Sequence, residues 1–336
     1  MQAATFLALR PQGLYCEAGD FYIDPLRSVP RALITHGHSD HARAGHDKVL
    51  ATRDTLAVMA LRYGAEFAHE AQVVEYGEEL RIGDVAVSFH PAGHVLGSAQ
   101  ILIRGPGART VVSGDYKREP DPTCAPFELI ACDTFVSEAT FGLPVFRHSN
   151  AAGEIEKLLA SLRLFPERAH LVGAYTFGKA QRLIALLRQK GYDRPVFLHG
   201  ALEKLTDYYV RRGIALGDIR KAAGAGDLAG EIVLCPPTAV SDIWSRKFAD
   251  PVTSFASGWM RVRARARQSG IELPLVISDH ADWDALCTTI SETGCSKLLV
   301  THGEADALVH CFKNRGIDAE PLHMLGYGED EAPEET

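Results

Sequence analysis

The chain has 336 residues, of which 46% are hydrophobic and 23% charged, and its formal net charge at pH 7 is −8. That length leaves room for one large domain or two medium ones, and the acidic balance excludes a global basic field, so any nucleic-acid contact must be local or metal-assisted. No apolar run approaches the roughly 18 residues of a membrane span, the first ten residues lack the basic start of a secretion signal, and the seven cysteines contain no Cys-x-x-Cys pair, which fits reduced thiols in a cytoplasmic chain and not a cysteine zinc site.

Up to about residue 140, short apolar runs alternate with Gly, Pro and Asp. The runs at 21–23, 32–34, 85–89, 101–103, 110–112 and 134–136 are predicted strands. One helix is predicted between them, at 52–62, ending near Gly64. From about 150 the texture changes to alternating helix and strand. Asn150 can cap a helix at 154–164, followed by a strand at 170–174, a helix at 179–190 that stops at Gly191, and a strand at 195–198. This is the βαβ rhythm of a parallel sheet. Later come a strand at 273–277, a helix at 283–292, a strand at 297–301 and a helix at 305–312, before an acidic tail at 328–336. No internal repeat is visible. The middle segment reads as an α/β insertion in a domain that resumes near the C-terminus.

The densest chemistry lies in Thr35-His36-Gly37-His38-Ser39-Asp40-His41, directly after an apolar segment. Histidine and aspartate suit zinc and the other borderline divalent ions. An open catalytic metal typically takes three protein ligands and a water, so four donors in one loop point to two metals sharing it. Further donors stand at the ends of apolar runs: His94 in the glycine-rich Pro91–Ser98 loop, Asp115 after 110–112, and His302 in Thr301-His302-Gly303-Glu304. Each alone could be a turn residue or a hydrogen-bonded core group. Together with the first loop they make seven, which is two sets of three and one shared carboxylate.

The ordered series Asp24, His36/His38/Asp40/His41, His94, Asp115, then Glu138 in Val136-Ser-Glu-Ala-Thr-Phe-Gly142, His280 in Ser278-Asp-His-Ala-Asp-Trp283, and His302 resembles the metallo-β-lactamase superfamily, in its β-CASP nuclease branch. The resemblance spans residues 15 to 310. The phrases at 13–25, 258–265 and 278–283 look most like the bacterial ligase-associated DNA exonucleases of the DNA damage response. It implies an α/β fold, an αββα sandwich (residues 1–147 and 273–327) with an inserted α/β β-CASP domain (148–272). It further implies that His36, His38 and His94 hold one divalent ion (Zn²⁺ or Mn²⁺), that Asp40, His41 and His302 hold a second, and that Asp115 bridges them. Asp24 would orient the ligand loop from behind. His280, Glu138 and Asp40 would be the catalytic groups: a hydroxide shared by the ions attacks the phosphodiester, His280 protonates the leaving sugar oxygen, and Glu138 orients His280.

Substrate contacts are expected from Arg261, Arg263, Arg265 and Arg267, which alternate at strand period and could line one side of a strand for phosphate. A solvated edge strand guarded by charge reads equally well. Lys179 opens a predicted helix whose first amides could receive a phosphate or could simply be capped, and Ser98 belongs to the His94 loop. Tyr175, Phe177 and Trp259 could stack on bases or fill a core. The resulting expectation is a DNA exonuclease in repair, preferring DNA to RNA, working with a ligase and a helicase, and without a membrane. An RNA-processing nuclease, a small-molecule hydrolase of the same fold and a scaffold without chemistry are the alternatives.

Overall fold

The computed structural model describes residues 6–322; the acidic tail at 328–336 lies outside the described residues. Contacts divide the chain into two compact units, the first running up to Pro144 and resuming at His280, the second Val145–Asp279.

In the first unit, β1 (Leu7–Arg10), β2 (Gly13–Cys16), β3 (Phe21–Ile23), β4 (Arg31–Leu33), β5 (His46–Ala51) and β6 (Ala68–Val73) form a six-stranded sheet in chain order. The strands β7 (Glu79–Ile82), β8 (Val85–Pro91), β9 (Ala99–Gly105), β10 (Ala108–Val112) and β11 (Thr134–Ala139) join two from the far end of the chain in a second sheet. The six apolar runs named above all lie in these strands or reach one residue past them. Alternation within each strand decides the layers, because successive side chains point to opposite faces. Ile101, Ile103, Val112 and Val136 of the second sheet meet Phe21, Ile23, Leu33 and Leu50 of the first in one buried cluster. Their neighbours face outward. Ala32, Val49 and Ala51 pack on Leu56 and Met59 of α1 (Arg53–Tyr63), while Leu102, Val111 and Phe135 pack on residues of two C-terminal helices. Helix, sheet, sheet, helix is the αββα sandwich.

Helix α1 begins at Thr52, whose hydroxyl accepts the Thr55 amide, and ends at Gly64 with φ 89°. The second unit opens with α2 (Ala151–Leu164), capped by the Asn150 side chain on the Ala152 amide. Its six strands, β12 (His170–Gly173), β13 (Val196–Leu198), β14 (Ile219–Lys221), β15 (Ile232–Cys235), β16 (Val252–Ala256) and β17 (Leu273–Leu275), are all parallel, in the order β14-β13-β15-β12-β16-β17. The central strands β12, β13 and β15 are buried throughout, as a sheet covered on both faces requires. Between them run α3 (Lys179–Gln189) and α4 (Gly200–Arg211). Helix α4 has no counterpart among the predicted elements. Its cap is His199, whose Nδ1 accepts the Ala201 amide at 3.1 Å, a residue outside the usual Ser, Thr, Asp and Asn set.

After the short helix α5 (Arg263–Gln268), the chain re-enters the first unit with α6 (Trp283–Thr293), β18 (Lys297–Gly303), α7 (Ala305–Lys313) and β19 (Asp318–Pro321), which complete the second sheet in the order β19-β18-β11-β10-β9-β8-β7. Leu286 and Ile290 of α6 and Leu308 and Phe312 of α7 supply the outer helical layer. Among the described residues no helix is long and apolar enough to cross a membrane. Phe89 has no exposure and sits between the two sheets. Phe89→Ala should therefore lower unfolding free energy by about 3–5 kcal/mol, measured by urea denaturation.

Candidate metal centre

The donors come from one edge of the sandwich. Strands β3, β4 and β5 are mutually parallel, as are β10, β11 and β18, and all of the donors but His94 stand at or just past the C-terminal end of such a strand. Asp24 follows β3, the His36–His41 loop follows β4, Asp115 follows β10, and Glu138 and His302 lie in the last residues of β11 and β18. His94 lies in the loop between β8 and β9.

One group converges tightly. His36, His38, His94 and Asp115 each offer an atom within 4.8 Å of all the others. His38 Nδ1 stands 3.1 Å from His36 Nε2 and 3.0 Å from His94 Nε2, and Asp115 Oδ2 lies 3.3 Å from His36 Nε2. Nitrogen ligands at zinc distance in a tetrahedron stand roughly 3.3 Å apart, so these spacings fit one shared ion. Asp115 Oδ1 is buried with no hydrogen-bond partner, which is unusual for a carboxylate oxygen unless an ion belongs there. The remaining donors meet pairwise around His41: its Nε2 is 3.4 Å from Asp115 Oδ2 and 3.7 Å from Asp40 Oδ2, and its ring stacks on His302 with centroids 4.7 Å apart and planes 19° apart. His36, His41 and His94 are buried, His38 is half-buried and the Asp40 side chain is 53% exposed.

Hydrogen bonds behind the donors fix which nitrogen faces the site. Asp24 Oδ1 accepts the Thr35 amide at 2.8 Å and its Oδ2 accepts the Thr35 hydroxyl at 2.6 Å. With its proton committed to Asp24, the Thr35 oxygen accepts from His36 Nδ1 at 3.1 Å, leaving Nε2 to face the other donors. His41 Nδ1 likewise donates to Asp24 Oδ2 at 2.8 Å. Thr35 is the residue that sequence reasoning missed; its place between strand end and first histidine was the available signal. Gly114 allows the approach of Asp115, since a Cβ there would lie 2.7 Å from Thr35 Cβ.

The electrostatics suit a donor set for a cation. Burial, reinforced by the neighbouring His41, pushes His36 well below the ordinary imidazole range and lowers His302 to about 4. Burial alone would raise Asp115, but the imidazoles of His41, His36 and His280 hold it well below the carboxylate range. His41 is raised well above its ordinary value because Asp115 and Asp40 outweigh burial.

Beside this cluster, His280 Nδ1 donates to Glu138 Oε2 at 3.0 Å, and Asp115, Glu138 and His280 offer atoms within 4.8 Å of one another. Glu138 is fully buried, its Oε1 accepts the Tyr116 amide at 2.7 Å, and burial raises its carboxyl above the usual range. The His280 and His94 rings lie 4.5 Å apart.

The expected substrate contacts fare differently. Residues 258–261 form a 3-10 turn and 263–268 the helix α5, not a strand, so Arg261, Arg263, Arg265 and Arg267 do not share one side. Arginine and alanine are good helix formers, and the buried Ala266 shows the inward face. All four arginines are exposed, and Arg265 packs 4.2 Å over the Trp259 ring, which also meets Phe146. Lys179 is 2% exposed and spent internally, donating to Asp279 Oδ1 at 2.5 Å and to the Ile277 carbonyl at 3.2 Å. The Gly178 amide at that helix start is taken by Gln181 Oε1. Ser98 is buried and its hydroxyl accepts the His94 and Val95 amides, closing the loop that carries His94. Phe177 is core, against Tyr209; Tyr175 is half-buried beside Phe255.

Residues 23–172 match the model of the metallo-beta-lactamase superfamily. A probable DNA ligase of Opitutus terrae is 28% identical over 314 residues, which cover 91% of this chain and 30% of the ligase. A ribonuclease of Thermus thermophilus is 31% identical over 205 residues, 52% of this chain and 46% of the ribonuclease. The chain thus spans less than half the length of either relative. Among solved structures, a protein of unknown function from Enterococcus faecalis V583 shares the fold with a TM-score of 0.54 at 14% identity, covering 81% of this chain and 75% of that one. Residues 23–172 are thus similar to a superfamily of metal-dependent hydrolases, the sandwich of the first unit is consistent with that superfamily's fold, and the similar proteins include a ribonuclease.

Two substitutions probe the centre. Asp115→Ala should remove bound metal, read by elemental analysis of the purified protein. Asp24→Ala, which removes the bonds that orient His41 directly and His36 through Thr35, should weaken Zn²⁺ binding about 10- to 100-fold in chelator competition.

Proposed function

We propose that the chain is a two-metal phosphodiesterase that degrades DNA as an exonuclease in repair. The observation that carries the reading is the His280–Glu138 pair, 3.0 Å apart, beside the donor cluster of His36, His38, His94 and Asp115. Two divalent ions, Zn²⁺ or Mn²⁺, held by that cluster and by Asp40, His41 and His302 with Asp115 between them, would supply an acidified water and neutralise phosphate charge. The chain's own contribution is the proton for the leaving sugar oxygen. Glu138, anchored by the Tyr116 amide, accepts from Nδ1 of His280 and so leaves Nε2 to carry that proton. A small-molecule hydrolase has less need of this pair, because water can protonate many small leaving groups.

DNA is favoured because the match to the ligase-named relative extends over 91% of this chain. The same match supports work beside a ligase, and by extension a helicase, on broken ends. Seven free thiols suit a cytoplasmic setting. One observation favours RNA as the second reading: the pairing of Glu138 with His302 resembles RNA-cleaving β-CASP proteins, and the Thermus ribonuclease is 31% identical.

End-labelled single-stranded DNA, double-stranded DNA and RNA, incubated with the protein and Zn²⁺ or Mn²⁺ and sized on gels, separate these readings. Stepwise shortening of DNA with RNA left intact is expected; RNA cleavage alone would transfer the assignment to RNA processing. His280→Ala should fold and bind metal like the parent yet lose about 10²- to 10⁴-fold in turnover, and undiminished hydrolysis would remove His280 from the mechanism.

A further inference from the structure

Strand β18 does not run straight into its loop. Its parallel pairing with β11 matches Glu138 with Thr301 and then Ala139 with Gly303, so His302 is an extra residue, bulged out of the ladder. In an unbulged strand residue 302 would share the face of Leu298 and Val300, which pack toward α6 and α7. The bulge re-aims the side chain, and the His302 ring stacks on His41 instead. His302 takes φ 51°, on the left-handed side that few non-glycine residues adopt.

Two glycines hold this geometry. Gly303 has φ 103°, and a Cβ there would lie 2.3 Å from the Ala139 carbonyl oxygen and 2.9 Å from Thr140 Cα. From the opposite side, a Cβ at Gly142 would lie 2.5 Å from the Glu304 carbonyl oxygen, while the Gly142 amide donates to Ala139 O at 2.8 Å. Residues 139–142 and 302–304 are therefore in bare backbone contact at both glycines. The first segment follows Glu138 directly; the second contains His302.

We infer that Gly303 and Gly142 are positioning residues for the second ion: they lock the bulge that sets His302 beside His41, and so tune the affinity of that ion without touching it. The inference rests on the two-ion reading above. A purely structural role would make the same glycines matter for stability alone.

The test is titration of the metal-free, full-length protein with Zn²⁺ against a chromophoric chelator. The parent should bind two equivalents. Gly303→Ala should keep the tighter equivalent and weaken the other by about tenfold or more, and Gly142→Ala, which presses on the same loop from its other side, should act in the same direction. In a His302→Ala background, adding Gly303→Ala should change Zn²⁺ binding no further. Two equivalents at parental affinity in both glycine variants would overturn the inference, as would parallel loss of both equivalents with a lowered metal-free melting temperature. Fewer than two equivalents in the parent would instead bring down the two-ion reading itself, and the inference with it.

Discussion

The Asp24 carboxylate is the constraint on which the centre depends. It is 4% exposed, sits at φ 43°, and accepts three hydrogen bonds, from the Thr35 amide, the Thr35 hydroxyl and His41 Nδ1. Removing a carboxylate from water costs several kcal/mol unless donors replace the lost hydration. Here the donors belong to the two ends of the ligand loop. The same bonds that solvate Asp24 therefore pin His36 and His41 and choose their tautomers. Arg62, in the last turn of α1, closes the middle by donating to the Gly37 carbonyl at 2.6 Å. The loop is held at start, middle and end by the protein's own hydrogen bonds.

Sheet topology does the rest of the assembly. Parallel strands deliver all their C-terminal ends to one edge, and residues far apart in sequence, such as His36 and His302, share it without long loops. Such an edge would ordinarily bury hydrogen-bonded polar groups. Instead it gathers imidazoles edge to face, holds the Asp115 carboxyl well below the usual carboxylate range and leaves its Oδ1 without a donor. Core packing has no use for that arrangement, and a cation satisfies it at once.

What was readable in the residues divides along the same line between local and distant. The loop at His36–His41 was legible because its donors are consecutive, and the strands around it because their apolar runs are bounded by turn residues. The joining of that loop to Asp115, Glu138, His280 and His302 came from resemblance, since no periodicity links residues so far apart in the chain. Lys179 shows the cost of local reading: a lysine opening a helix looks like a phosphate ligand until Asp279, distant in sequence, is seen to neutralise it. The arginines at 261–267 alternate like a strand, yet helix-forming residues with a single buried alanine wind into α5. The bulge at His302 left no sequence trace except the glycine after it.

His280 pairs with Glu138, and the carboxylates that flank it in sequence have further partners of their own. Asp279 and Asp282 flank it on either side. Asp279 is tied to Lys179 Nζ, and Asp282 caps α6 by accepting the Ala285 amide at 2.9 Å. Asp282 thus fixes backbone, while Asp279 holds a buried lysine side chain. The chain passes from the second unit to the first between Asp279 and His280, and once in the first unit the Ala281 amide donates to Tyr116 O at 2.7 Å. Tyr116 in turn gives its own amide to Glu138. One residue therefore bonds both the strand-end carboxylate and the segment carrying the imidazole, so the geometry of the proton-handling pair is set by main-chain hydrogen bonds and does not rely on flexible side chains alone.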